Sequence, residues 1–231
     1  MKKLINICLS LTLLVFVSSC GELGELDNYK QPDAKLFGSV VDQETGELIP
    51  QELITGSVIE YTELGFETPQ IQQLRFHTEG TFRNNLMFSG EYEIEAVRGN
   101  FFAPEKDTIT VRGDTEFTIS ALPYIRIKDA TIENTGRKIE VSFRVEQVAP
   151  ENVLKLSMVA DLSPSVGKNI NITSASKTIN GVVDPNTVYT LGLRLSNFEV
   201  GKEYFFRVGA IIDIPEAKYN YNVPIRFKVE E

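Results

Sequence analysis

FHTEGTFRNNLMFSGEYEIEAVRGNFFAP, Phe76–Pro104, decides how the chain is read. Apolar and polar residues alternate on both sides of Ser89-Gly90, and a period of two marks a half-buried strand rather than a helix. The stretch predicts two strands of a sandwich joined at a turn, with Tyr92, Ile94 and Ala96 on one face of the second. Upstream, Leu36–Asp42 alternates until it meets the turn Glu44-Thr45-Gly46-Glu47. Ser57–Thr62, Gln73–His77, Asp107–Val111 and Glu116–Ser120 read as further strands, with Arg112-Gly113-Asp114 as a turn between the last two. Short strands at this spacing predict an antiparallel β-sandwich over residues 34–122.

Pro123 disfavours a helical conformation at Leu122 and marks a boundary. A second antiparallel sandwich is predicted over 123–231, from Ile125–Ile132, Lys138–Val145, Val153–Asp161, Lys168–Thr173, Thr187–Leu195, Glu203–Ile212 and Val223–Val229. The clearest of these strands sets Ile139, Val141, Phe143 and Val145 against Glu140, Ser142, Arg144 and Glu146. Phe198 to Ala210, FEVGKEYFFRVGA, resembles the sixth strand of a fibronectin type III or immunoglobulin-like domain. In that resemblance Tyr204 is the corner tyrosine, buried, with its hydroxyl returned to backbone a few residues upstream.

The first residues are of another kind. Lys2 and Lys3 precede an apolar run from Leu4 to Val17, and Ser18-Ser19-Cys20 closes it with small residues. This is the pattern of a secretory signal peptide, too short and wrongly flanked for a membrane span. Val17-Ser18-Ser19-Cys20 resembles the bacterial lipobox, which implies a signal peptide over 1–19, lipidation at Cys20, and a tether over 20–33. A multiply acylated cysteine holds a protein on a membrane without crossing it. Cys8 leaves with the peptide and Cys20 is acylated, so the body has no thiol for a disulfide, a zinc site or a nucleophile. The formal charge is −9, and losing Lys2 and Lys3 makes it more negative still. That sign excludes nucleic acid as a partner and disfavours anionic lipid. Glu22, Glu25 and Asp27 follow the cysteine closely, and an acidic run in that place resembles the surface-export signal of Bacteroidota lipoproteins; a solvated, extended linker reads the same way.

Two family resemblances carry the body of the chain. Gly38 to Pro50, GSVVDQETGELIP, resembles the carboxypeptidase-regulatory-like (transthyretin-like) β-sandwich. Asp27-Asn28-Tyr29, Thr45-Gly46, Gly80-x-Phe82-x-Asn84, Phe88-x-Gly90-x-Tyr92 and Leu122-Pro123-Tyr124 together resemble the Domain of Unknown Function 3823 family of Bacteroidota lipoproteins. The resemblance implies an all-β protein with a carboxypeptidase-regulatory-like domain followed by an immunoglobulin-like one. It also implies an accessory role beside the importer and glycan-binding lipoprotein of a polysaccharide-utilisation system, on the outer membrane and facing outward. It implies no catalytic residue and no cofactor.

The side-chain chemistry agrees with a non-enzyme. His77 is the single histidine, and no nucleophile elbow or zinc-ligand pattern accompanies it. Carboxylates are too numerous for any one pair to mark a glycosidase. Glycan binding needs an aromatic face with polar neighbours, and tryptophan is absent. The candidates are Phe101 and Phe102 beside Arg98 and Asn100, Tyr219 with Tyr221, and Tyr61 and Phe66. Core or interdomain packing is the competing use for each; a Phe turned toward Tyr124 would join the two domains. Asp107-Thr108-Ile109 matches an Asp-Thr-aliphatic O-glycosylation pattern, which makes Thr108 a candidate acceptor. A fimbrial or adhesin-like subunit without a sugar site, and a glycan hydrolase, are the rival readings.

Overall fold

The computed structural model describes residues 30–230; the signal peptide, Cys20 and the acidic run behind it lie outside the described residues. The fold is all-β, two sandwiches in tandem. In the first lobe β1 (Ala34–Asp42), β4 (Thr81–Met87), β6 (Phe101–Phe102) and β8 (Asp114–Pro123) form a sheet in the order β4-β1-β8-β6. Facing it, β2 (Val58–Glu63), β3 (Ile71–Arg75), β5 (Gly90–Val97) and β7 (Asp107–Val111) form a sheet in the order β3-β2-β5-β7. β4 and β5 therefore belong to opposite sheets, and Ser89-Gly90 carries the chain across the sandwich. Leu36, Val40, Phe76, Phe82, Tyr92 and Ile94 fill the space between.

Antiparallel pairing is expected throughout, but β1 and β8 run parallel, from Lys35↔Asp114 to Asp42↔Ala121. A parallel pair cannot be closed by a tight turn and needs a long crossover. Here the crossover is the whole of the lobe between the two strands. Alternation along each strand cannot reveal this, because it fixes which face a residue takes and not the direction of the neighbouring strand.

The second lobe begins after Tyr124. β9 (Ile125–Asn134), β10 (Lys138–Gln147) and β13 (Val188–Arg194) make an outer sheet in the order β13-β10-β9. β11 (Val153–Asp161), β12 (Thr173–Gly181) and β14 (Glu203–Ile212) make the inner sheet, with β15 (Asn220–Tyr221) and β16 (Ile225–Lys228) both pairing with β14. The strand expected at Lys168–Thr173 is a loop, in which Asn171 donates to the carbonyls of Gly167 and Lys168 at 3.0 and 2.9 Å. The true strand follows it at Thr173–Gly181, TSASKTING, an edge strand with no buried residue and so no apolar alternation to read. The expected strand Val223–Val229 is the second part of a broken one. Pro224 has no amide to donate, and the break lies opposite Arg207 and Val208.

Tyr204 is buried and its hydroxyl accepts a hydrogen bond from the Glu199 amide at 3.0 Å. The corner read from the sequence is present. Phe198 packs against the same ring, centroids 5.0 Å apart.

Candidate functional site

The inner sheet of the second lobe has two buried faces. Tyr204, Phe206, Val208, Ala210 and Ile212 of β14 point into the lobe's own core. The opposite face presents Arg207, fully buried. Its Nε donates to the Asn222 carbonyl at 2.8 Å, and its Nη1 donates to the carbonyls of Gln51 and Val166 at 2.9 and 3.2 Å. Gln51 belongs to the β1–β2 loop, so one guanidinium ties the first lobe, the 162–172 loop and the broken strand together. Burial drops its pKa to about 10, while neighbouring Tyr221 and Glu52 act in the opposite direction; it stays charged at neutral pH. The guanidinium also lies 4.6 Å from the centroid of the Tyr221 ring, an attraction that grows when water is excluded. Gly209 makes room for this, because a Cβ there would stand 2.4 Å from Tyr221 Cδ1 and 2.6 Å from the Asn220 carbonyl oxygen.

A web of amides completes the junction. Ser57 Oγ donates to Gln51 Oε1 at 2.6 Å, and Gln51 Nε2 to Asn100 Oδ1 at 2.9 Å. Asn100 Nδ2 reaches the carbonyls of Pro50 and Tyr219 at 3.0 and 3.2 Å, and Asn220 Nδ2 donates to the Asn100 carbonyl at 2.8 Å. Arg207 Nη2, Asn220 Oδ1 and the Tyr221 hydroxyl are buried without a hydrogen-bond partner among the described residues. At the rim Arg126 is held by Asp42, Glu44 and Glu146. Burial acts to raise the Asp42 carboxyl, but hydrogen bonds from Arg126 and the Glu44 amide outweigh it and hold the group below its ordinary value.

This arrangement reassigns most of the sugar-site candidates. Phe101 is buried in the first lobe's core and Asn100 in the amide web. Tyr219 and Tyr221 do share a face, their rings stacked 5.2 Å apart, but that face is buried beside Val159 and Val166. None of these four offers a free surface to a glycan. For Asn100, Tyr219 and Tyr221 the reason is shared: the second lobe needs its inner sheet covered, and the aromatic and amide groups at the junction cover it; Phe101 instead fills the first lobe. Phe102 is partly exposed and meets Tyr124 edge-on at 4.9 Å, the geometry of the interdomain use. Arg98 is exposed, with a positive φ of 54°, and pairs with Glu60 at 2.7 Å. Tyr61 is buried and bonded to Gln72 and Asn84. Thr108 stands exposed on β7, an edge strand, and Phe66 is the most exposed large aromatic among the described residues.

What the junction leaves open is a pair of clefts on either side of Val223. The first, about 420 Å³, sets Leu48, Ile127 and Val223 beside the Asp42–Arg126 pair, Lys128 and Asn222; Lys128 in turn pairs with Glu47 at 3.0 Å. The second, about 430 Å³, has Leu53, Phe205, Pro224 and Val223 as walls and His77, Glu79 and Ser165 at its lip. His77 Nδ1 lies 3.8 Å from Glu79 Oε1, and no hydrogen bond joins it to Ser165 among the described residues, so the three do not form a relay. Among the described residues no three His, Cys, Asp or Glu side chains converge as a metal site requires. No helix among them is long and apolar enough to cross a membrane. Sequence reasoning missed these clefts because Leu48, Val223 and Arg126 carry no motif; only the break at Asn222-Val223-Pro224 signals that the chain leaves the sheet here.

Fold and junction define a class: tandem β-sandwiches docked through a buried polar seam, with clefts at its edge. The chain belongs to the DUF3823 family. Residues 34–120 match "Protein of unknown function (DUF3823) N-terminal domain" and 125–224 match "Domain of unknown function (DUF3823_C)". A solved structure from Bacteroides uniformis ATCC 8492, described as a "putative carbohydrate binding protein", is 26% identical with a TM-score of 0.79. The match covers 86% of this chain and 100% of that one. DUF3823 family proteins from Bacteroides uniformis ATCC 8492 and Parabacteroides merdae ATCC 43184 are each 20% identical over 86% of this chain and 100% of theirs, with TM-scores of 0.75 and 0.74. No curated protein matches the chain.

Proposed function

We propose that this is a non-catalytic, lipid-anchored protein of the outer membrane, displayed at the cell surface, that holds glycan in the interlobe clefts as an accessory to a polysaccharide importer and its glycan-binding lipoprotein. The observation that carries the reading is the pair of clefts flanking Val223, each opposing apolar walls to charged and amide groups. Sugars present both C–H faces and hydroxyls, and such a lining answers both. The likeness to the Bacteroides uniformis protein, named for carbohydrate binding, supports the same class of ligand. The Val17-Ser18-Ser19-Cys20 pattern supports the anchor.

Isothermal calorimetry of soluble polysaccharides against the unlipidated body tests the site. Val223→Asp, at the exposed ridge between the clefts, is expected to weaken binding at least tenfold while leaving the melting temperature unchanged. Absence of binding heat for the parent across plant, host and microbial glycans would refute it. For the anchor, Cys20→Ala is expected to abolish fatty-acid labelling and release the protein from membranes; a variant that still labels overturns that part.

A further inference from the structure

The end of the first lobe farthest from the clefts carries an unusual surface. β1 begins there at Ala34, paired with Met87 at the end of β4. The end of β2 and the starts of β3 and β5 meet at the same place, where Thr62 pairs with Ile71 and Glu63 with Tyr92. Hydrogen bonds draw these loops together: Ser89 N to Asp33 Oδ1 at 2.8 Å, Leu64 N to the Glu91 carbonyl at 2.8 Å, and Lys35 N to the Gly113 carbonyl at 2.7 Å. On this pole Phe66, Ile71 and Leu86 are 63%, 66% and 74% exposed, and Leu64 and Phe88 are also open. Single exposed apolar residues need no explanation, whereas several gathered on one pole mark a contact surface.

We infer that this pole rests on the bilayer in which the chain is anchored, with Phe66, Ile71 and Leu86 entering the headgroup region. Three observations choose lipid over another occupant. The chain arrives at this pole and no other, since Ala34 follows Cys20 by fourteen residues, a run that spans at most about 50 Å. An anchor at Cys20 therefore keeps these side chains within reach of the membrane at high effective concentration, which turns a contact too weak to hold a free protein into a standing one. The charges here are Lys35, paired with Asp114 at 3.0 Å, and Arg112 in the adjoining turn, against the carboxylates Glu63, Glu67 and Glu91. Carboxylates outnumber cations on this rim, so it gains nothing from anionic headgroups and the contact is made by the apolar side chains. The orientation also turns the clefts away from the membrane, because Asp42 and Pro123, at the opposite ends of β1 and β8, line the first of them.

The proposal rests on the anchoring reading, and the test separates the two. The chain has no tryptophan, so Phe66→Trp installs a sole reporter at the pole and Val223→Trp a matched one at the clefts. Each variant, starting at Cys20, is coupled through that thiol to maleimide lipid in phosphatidylcholine vesicles, which imposes the anchor whatever happens in the cell. The reporter at position 66 is expected to shift its emission to the blue and to be quenched by brominated phosphatidylcholine several-fold more than the reporter at 223. Adding Ile71→Glu and Leu86→Glu is expected to abolish that difference without lowering the melting temperature. Equal quenching at the two positions overturns the proposal. So does a blue shift at 66 that grows with protein concentration in the absence of vesicles, which would assign the pole to a second copy of the chain. Failure of native fatty-acid labelling would refute the Cys20 anchor alone.

Discussion

β10 and β14 lie in the two sheets of one lobe and are built differently. In β10, KIEVSFRVEQ, the buried residues Ile139, Val141, Phe143 and Val145 are separated by partly or fully exposed ones. In β14, EYFFRVGAII, burial is nearly continuous from Tyr204 to Ile212. Alternation means one face in water, and a continuous run means that both faces are covered. One arginine sits in each strand: Arg144 is exposed and pairs with Asp129 at 3.1 Å, whereas Arg207 is sealed between the lobes. A strand that stops alternating is a strand to which something has docked.

The strongest way to break this contrast is to remove the two arginines in turn. Arg207→Ala leaves the carbonyls of Gln51, Val166 and Asn222 without their donor, and should cost about 3–5 kcal/mol. Arg144→Ala should stay within about 0.5 kcal/mol, the range of an exposed ion pair. Urea melts of both variants decide it; equal losses would show that β14 is no more committed than β10. Next in size is Gly209→Ala, which drives a methyl into Tyr221 and the Asn220 backbone and should cost about 2–3 kcal/mol. Proteolysis should then cut the 213–224 segment faster than in the parent.

Asp42→Asn sharpens the comparison at the rim of the junction. Losing the charge-assisted bonds to Arg126 should cost about 2 kcal/mol near neutral pH. Because the folded Asp42 carboxyl is held low, its contribution is fully present above the unfolded value of about 4 and is lost as pH falls through the folded one. Stability of the parent should therefore fall on that acid limb more steeply than stability of Asp42→Asn. A smaller loss than at Asp42 is expected for Tyr204→Phe, which removes the bond from the Glu199 amide for about 1 kcal/mol and should leave the interlobe contacts untouched.

The same contrast explains what could be read in advance. Strands with one wet face, such as β5 and β10, announce themselves by period, and the Tyr204 corner by its aromatic spacing. β12 did not, because an edge strand exposed along its length gains nothing from apolar residues, while Ile170 and Ile172 in the preceding loop imitate alternation. The parallel pairing of β1 with β8 leaves no local trace. Phe101, Asn100, Tyr219 and Tyr221 were legible as special, with packing and sugar contact both open as the use of the aromatics, since residues that meet a sugar and residues that pack inside a protein share the same mixture of flat apolar faces and amides. The run EYFFRVGAII held the missing clue.

The parallel β1–β8 pair also sets an order of assembly. β1 is made first, yet one of its two neighbours does not exist until Asp114–Pro123 has been synthesised. Contacts so distant in sequence form slowly, and until they do β1 offers an open backbone edge of the kind that recruits other chains. β9 starts just past Tyr124, so closing the first lobe also lays down the first strand of the second. Pulsed hydrogen exchange during refolding should find β1 and β8 gaining protection together, after β2, β5 and β7. The first lobe is thus the last to close of the elements begun first, and its opening strand is where a chaperone that meets the nascent chain would have something to hold.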